Sequence, residues 1–107
     1  MRFTVHLIED AGKDLLDVYQ YIAANDSVEQ ADRLLDHLEE AMQKLETYPM
    51  RGHIPPELER IGVLDFREIH YKPFRIIYEI RKPEVFVHCL LDGRRDLQDL
   101  LQKRVLR

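Results

Sequence analysis

At 107 residues the chain has room for one hydrophobic core and not two, so a single domain spanning residues 1–107 is expected. Its composition, 45% apolar and 34% charged, is globular, and no stretch approaches the roughly eighteen apolar residues that mark a membrane span. The start Met1-Arg2-Phe3-Thr4-Val5-His6 lacks the apolar segment of a signal peptide, and a lone Cys89 excludes an internal disulfide and gives no support to a cysteine-based zinc site. A cytoplasmic protein follows as the expectation. The net charge of -4 is unevenly placed: residues 1–65 hold 6 Lys/Arg against 14 Asp/Glu, and residues 66–107 hold 10 against 6. Two faces with different partners, or simply helices that tolerate surface acids, would both give this asymmetry.

Phe3, Val5 and Leu7 alternate with Arg2, Thr4 and His6, the period of a strand with one buried face. From Ala11 the period lengthens, with Leu15, Val18 or Tyr19 and Ile22 marking a helix of about four turns. Glu9 and Asp10 sit at its start, where they complement the helix dipole. Tyr19 is expected in the core, and Tyr21 lies off the apolar stripe. Asn25-Asp26-Ser27 breaks the helix, and Ser27 with Gln30 forms a capping-box signature for a second one. Ala31, Leu34, Leu35, Leu38, Ala41, Met42 and Leu45 supply its stripe, so the two helices should form an antiparallel hairpin. Pro49 ends the second helix, and residues 51–56 read as loop.

Three short strands follow. Residues 66–71 and 74–80 are divided by Lys72-Pro73, and residues 85–92 follow a second turn at Lys82-Pro83. Both faces of the last two runs are apolar, as central strands under helices should be. Leu97, Leu100, Leu101 and Val105 suggest a short terminal helix. The fold class is therefore α+β, in the order β-α-α-β-β-β with a terminal helix. A small, mainly antiparallel sheet should carry the α-hairpin on one face, with the first strand returning beside or between the later ones. The expected core contains Val5, Leu15, Ile22, Leu35, Leu38, Leu45, Ile76, Tyr78, Val87 and Cys89.

The candidate functional residues lie in the basic third. Arg67 and Arg75 on adjacent strands, and Arg94-Arg95 after the last one, would gather guanidinium groups on one small sheet, which suits phosphate or carboxylate recognition. Arg75 interrupts an apolar strand and must reach water, a ligand or a carboxylate, with Glu79 and Glu68 as the structural partners. Arg94 and Arg95 either meet a target or scaffold the final helix. His70 and His88 could share a side with Arg75 and exchange protons. Two histidines without a third ligand make a weak metal case, so neither a metal nor a cofactor is expected. His6, His37 and His53 read as surface residues. Ser27, the single serine, is committed as a helix cap, and the four glycines form no phosphate-binding loop.

Several motifs, in order, resemble the RelE/ParE superfamily of toxin–antitoxin toxins over nearly the whole chain. The A-x-x-D-L-x-x-I-x-x-Y-I pattern of the first helix reads here Ala11-Gly12-Lys13-Asp14-Leu15-Leu16-Asp17-Val18-Tyr19-Gln20-Tyr21-Ile22. L-x-x-x-P-x-x-G appears as residues Leu45 to Gly52, with Pro49 and Gly52 in place. R-x-I-x-Y is approximated by Arg75-Ile76-Ile77-Tyr78, with the isoleucine and tyrosine shifted. The H-G-R-R-D ending appears as Asp92-Gly93-Arg94-Arg95-Asp96, with Asp for His.

The resemblance implies a type II toxin neutralised by a short, partly disordered antitoxin, as a homodimer or as a heterotetramer with that antitoxin. It also implies one of two mechanisms. ParE-like members poison DNA gyrase, and the long acidic hairpin and acidic total charge lean this way, with Arg94, Arg95, Arg67 and Arg75 meeting the target. RelE-like members cleave ribosome-bound mRNA, and Arg67, Arg75 and His88 would then be the catalytic set. A non-toxic antitoxin-binding module is the third reading.

Overall fold

A computed structural model describes residues 2–93 and 97–104. Strand β1 (Thr4–Leu7) leads into helix α1 (Glu9–Asn25) and, after two residues, helix α2 (Val28–Gln43). The Ser27 hydroxyl accepts from the Gln30 amide at 3.1 Å, so the expected cap closes the hairpin turn. Helix α2 tightens into 3₁₀ turns at Lys44–Glu46 and Pro49–Arg51. Strands β2 (Phe66–Tyr71), β3 (Phe74–Arg81) and β4 (Glu84–Asp92) form the antiparallel meander, and helix α4 (Leu97–Arg104) follows. The turns at Lys72-Pro73 and Lys82-Pro83 each contain a cis prolyl bond. Among the described residues no helix is long and apolar enough to cross a membrane.

The sheet order is β1-β4-β3-β2, with β1 parallel to β4 and the other pairs antiparallel. The two most apolar runs are thus the central strands. One face carries the α1/α2 hairpin over Leu38, Leu45, Ile76, Tyr78, Val85 and Val87, all buried. Val5 and Leu15 are only partly buried and pack against this cluster, and Ile22 and Leu35 are likewise half-buried. Tyr19 is not a core residue: its hydroxyl reaches across the hairpin to donate to Asp32 at 2.6 Å.

Helical cover was expected on one face, but the other is also packed. Leu58, Phe66, Ile77, Cys89 and Leu91 form a second cluster there, with Val63 and Leu100 against it. Leu58 comes from a short helix, α3 (Pro56–Glu59), in the segment read as loop. Proline at the first helical position was the available signal, since its missing N–H is not needed there. Cys89 is fully buried in this cluster, and burial pushes its thiol pKa up to about 12, so it behaves as a small hydrophobe.

Candidate functional site

The pleat separates the arginines that were expected to converge. Directly opposed residues in β2 and β3 share a face, and the register pairs Arg67 with Tyr78 but His70 with Arg75. Arg67 therefore lies on the α-hairpin face and Arg75 on the opposite one, and the two cannot grip a single phosphate. The sheet sorts strand residues by parity, which overrides nearness in sequence. Arg94 and Arg95 lie outside the described residues.

On the hairpin face, Arg67 becomes part of a polar clasp. It donates from Nη1 to the Gly52 carbonyl at 2.5 Å. The fully buried Tyr78 hydroxyl donates to the Pro49 carbonyl at 2.5 Å and accepts from the Gly52 amide at 3.1 Å. Gly52 must be glycine, because a Cβ there would intrude on both the Glu68 carbonyl and the Tyr78 hydroxyl. The Pro49-x-x-Gly52 motif and the Tyr78 of the strand motif are thus one structural unit.

On the opposite face Arg75, only 11% exposed, is held by two carboxylates. Its Nη1 and Nη2 donate to Glu57 at 2.6 and 2.9 Å, a bidentate fork, while Nε and Nη2 donate to Glu68 at 2.7 and 2.9 Å. Glu68, not Glu79, is the strand partner. Glu57 on α3 is the acid that sequence reasoning missed, because α3 was not foreseen. The Arg75 hydrogen bond lowers the Glu57 pKa. Burial alone would raise that of Glu68, but hydrogen bonds from Arg75 and His70 outweigh it and leave the pKa lowered. The same pairs raise the pKa of Arg75, so the guanidinium stays charged and neutralised in place.

Glu68 is 1% exposed and gathers two histidines as well. His70 Nε2 lies 2.7 Å from Oε1 and His53 Nε2 3.3 Å from Oε2. Together with Arg75, Pro56, Lys72 and Gly93 they line a cavity of about 410 Å³. His53, read from sequence as a surface residue, is 59% exposed, yet its backbone forms a two-way antiparallel bridge with Glu68.

His88 occupies the same face as Arg75 but not the same cluster. It is the extra residue of a β-bulge, between the pairs Tyr78–Val87 and Ile77–Cys89. At 15% exposure it bonds Glu79 at 3.1 Å and meets the Phe66 ring edge-on. Asp14 of the first-helix motif has a role that spacing did not reveal. It accepts the Leu90 amide at 3.0 Å and both terminal nitrogens of Arg104 at 2.7 Å, joining α1, β4 and α4.

The comparisons agree with this architecture. A family model of the ParE toxin of type II toxin–antitoxin systems (parDE) matches residues 5–97. Toxin ParE3 of Caulobacter vibrioides is 29% identical over 91 residues, which is 85% of this chain and 87% of that protein. The fold is similar to a structure of a chromosomal ParDE toxin–antitoxin system from P. aeruginosa, with TM-score 0.71 at 16% identity, covering 85% of this chain and 96% of the other. It is also similar to a chain of the toxin–antitoxin complex RelBE2 from Mycobacterium tuberculosis, with TM-score 0.64 at 17% identity over 86% and 92%.

Proposed function

Because this chain belongs to the ParE toxin family of type II toxin–antitoxin systems, we propose that it halts growth by poisoning DNA gyrase and that a short antitoxin neutralises it. The observation that carries the choice of target is the state of Arg75. A nuclease needs cationic donors open to a scissile phosphate and an acid or base beside them. Here Arg75, on the sheet face away from the α-hairpin, has its fork closed on Glu57 and lies against Glu68. His88 is turned to Glu79 instead of joining it. A net charge of -4 also opposes entry into a ribosomal RNA environment.

In this reading Arg94 and Arg95 contact the target, while Arg67 and Arg75 keep the sheet that presents them in shape. The antitoxin is a partly disordered acidic amphipathic segment that folds onto the toxin, as such segments do when they cover a basic and apolar surface. The named antitoxin complexes of the structural relatives support a partner of this kind.

Induction of the chain without its antitoxin tests the mechanism. DNA breaks and altered supercoiling with intact mRNA are expected, and replacing both Arg94 and Arg95 by alanine should relieve the growth arrest. Rapid codon-linked mRNA fragmentation with normal supercoiling would reject gyrase as the target. In that case His88→Ala should lower cleavage by about 10²–10⁴-fold. Continued growth with neither effect would instead identify a non-toxic antitoxin-binding module.

A further inference from the structure

We propose that His53, Glu68 and His70 form a binding site for one divalent transition-metal ion, zinc above all, on the sheet face opposite the α-hairpin. The placement follows from the backbone. His53 and Glu68 exchange backbone hydrogen bonds, His53 N–H to Glu68 C=O at 3.1 Å and the reverse at 2.7 Å. Directly opposed residues in such a bridge project to the same face, and His70, two residues after Glu68, projects there too. Of the two histidines that the sequence placed near Arg75, His70 joins this group and His88 does not, and the bridge brings His53 to Glu68.

The spacing suits a small ion. Tetrahedral ligands at about 2.0–2.1 Å from zinc stand about 3.3 Å from one another. His53 Nε2 and His70 Nε2 lie 3.3 and 2.7 Å from the two Glu68 oxygens, and one ligand atom from each residue falls within 4.8 Å of the others. The two imidazoles, 59% and 47% accessible, have room to rotate toward that spacing, while the carboxylate they would share is buried.

The chemistry of the donors agrees. A carboxylate offers about four lone-pair positions. Arg75 takes one on each Glu68 oxygen, which fixes the carboxylate plane and leaves the other side toward the histidines. Carboxylates oriented in this way are typical beneath metal sites. Glu57 offsets the Arg75 charge, so with neutral imidazoles the group of Glu57, Glu68 and Arg75 carries one net negative charge. Lys72, exposed on the cavity rim, is the other cation among the described residues that line the cavity and weakens the attraction without closing the site. Two imidazoles and a carboxylate select zinc and its neighbours over magnesium or calcium. The fourth position would open on the 410 Å³ cavity, leaving room for water or an acidic group of a partner.

The test uses the full chain, stripped with a chelator and titrated with Zn²⁺ against a chromophoric competitor. One equivalent should bind and raise the thermal midpoint. His53→Ala and His70→Ala should each weaken binding by at least about tenfold, whereas His37→Ala on α2 should leave it unchanged. Because His53 is well exposed, its variant should retain the fold, which circular dichroism in the absence of metal verifies. Co²⁺ should give the absorption of a low-symmetry nitrogen–oxygen site and none of the charge-transfer bands of a thiolate. Equal affinity in the wild type and in folded His53→Ala would overturn the proposal, as would zinc binding abolished by His37→Ala. The readout is independent of toxicity, so failure here leaves the gyrase reading standing, and the reverse holds.

Discussion

Tyr78 illustrates how a single side chain joins distant parts of this sequence. Its ring fills the core under the α-hairpin, and its hydroxyl would be costly there without partners. The Pro49 carbonyl and Gly52 amide supply them, so the chain between α2 and β2 is pinned to the centre of the sheet. Burial raises the pKa of this hydroxyl and keeps it protonated as a donor. Tyr78→Phe keeps the ring and strands both backbone groups. Chemical denaturation should show a loss of about 1–3 kcal/mol with an unchanged slope, the cost of unsatisfied buried polar groups. Arg67, donating to the same Gly52, is read most simply as part of this clasp.

At the level of elements, the weak point of the sheet is the far half of β4. Strand β1 pairs with it only from Glu84 to Val87, so among the described residues the amides beyond lack a strand neighbour on that side. Asp14 of α1 answers the Leu90 amide and clamps Arg104 of α4 at the same time. Asp14→Ala should cost about 1–3 kcal/mol. It should also speed hydrogen exchange at the Leu90 amide, while the amides of β3 that pair with β2 keep their protection. An unchanged Leu90 exchange rate would show that α4 docks without this anchor.

For the molecule as a whole, the face away from the hairpin combines a small apolar cluster with a closed charge network. Its pH response follows from the lowered Glu57 pKa. A carboxyl with a lower pKa in the folded chain adds stability that is complete above the unfolded value, about 4.3 for Glu. That stability disappears as pH falls through the folded value. With chelator present, the stability difference between the wild type and Glu57→Gln should hold steady from neutral pH to about 5. It should then shrink as the solution is acidified through and below about 4. A difference that persists undiminished in acid would mean that the Glu57–Arg75 pair contributes through packing and not through charge.

Periodicity by itself determined the two long helices, the strands, the hairpin and the central place of the two most apolar strands, because local spacing decides which face of an element is apolar. The Ser27 cap was equally legible, since a cap is a local hydrogen bond. Motif order carried the family. Helix α3 escaped because four residues show no period, although Pro56 at its first position was a signal. Strand parity could be read within each run, but whether Arg67 and Arg75 met depended on register across the turn. Only the tertiary structure placed them on opposite faces. It alone closed the Arg75 fork with Glu57 from α3 and set His53 opposite Glu68 across a two-residue bridge. Such contacts depend on pairing between segments far apart in sequence, and the local spacing of a chain contains no record of that pairing.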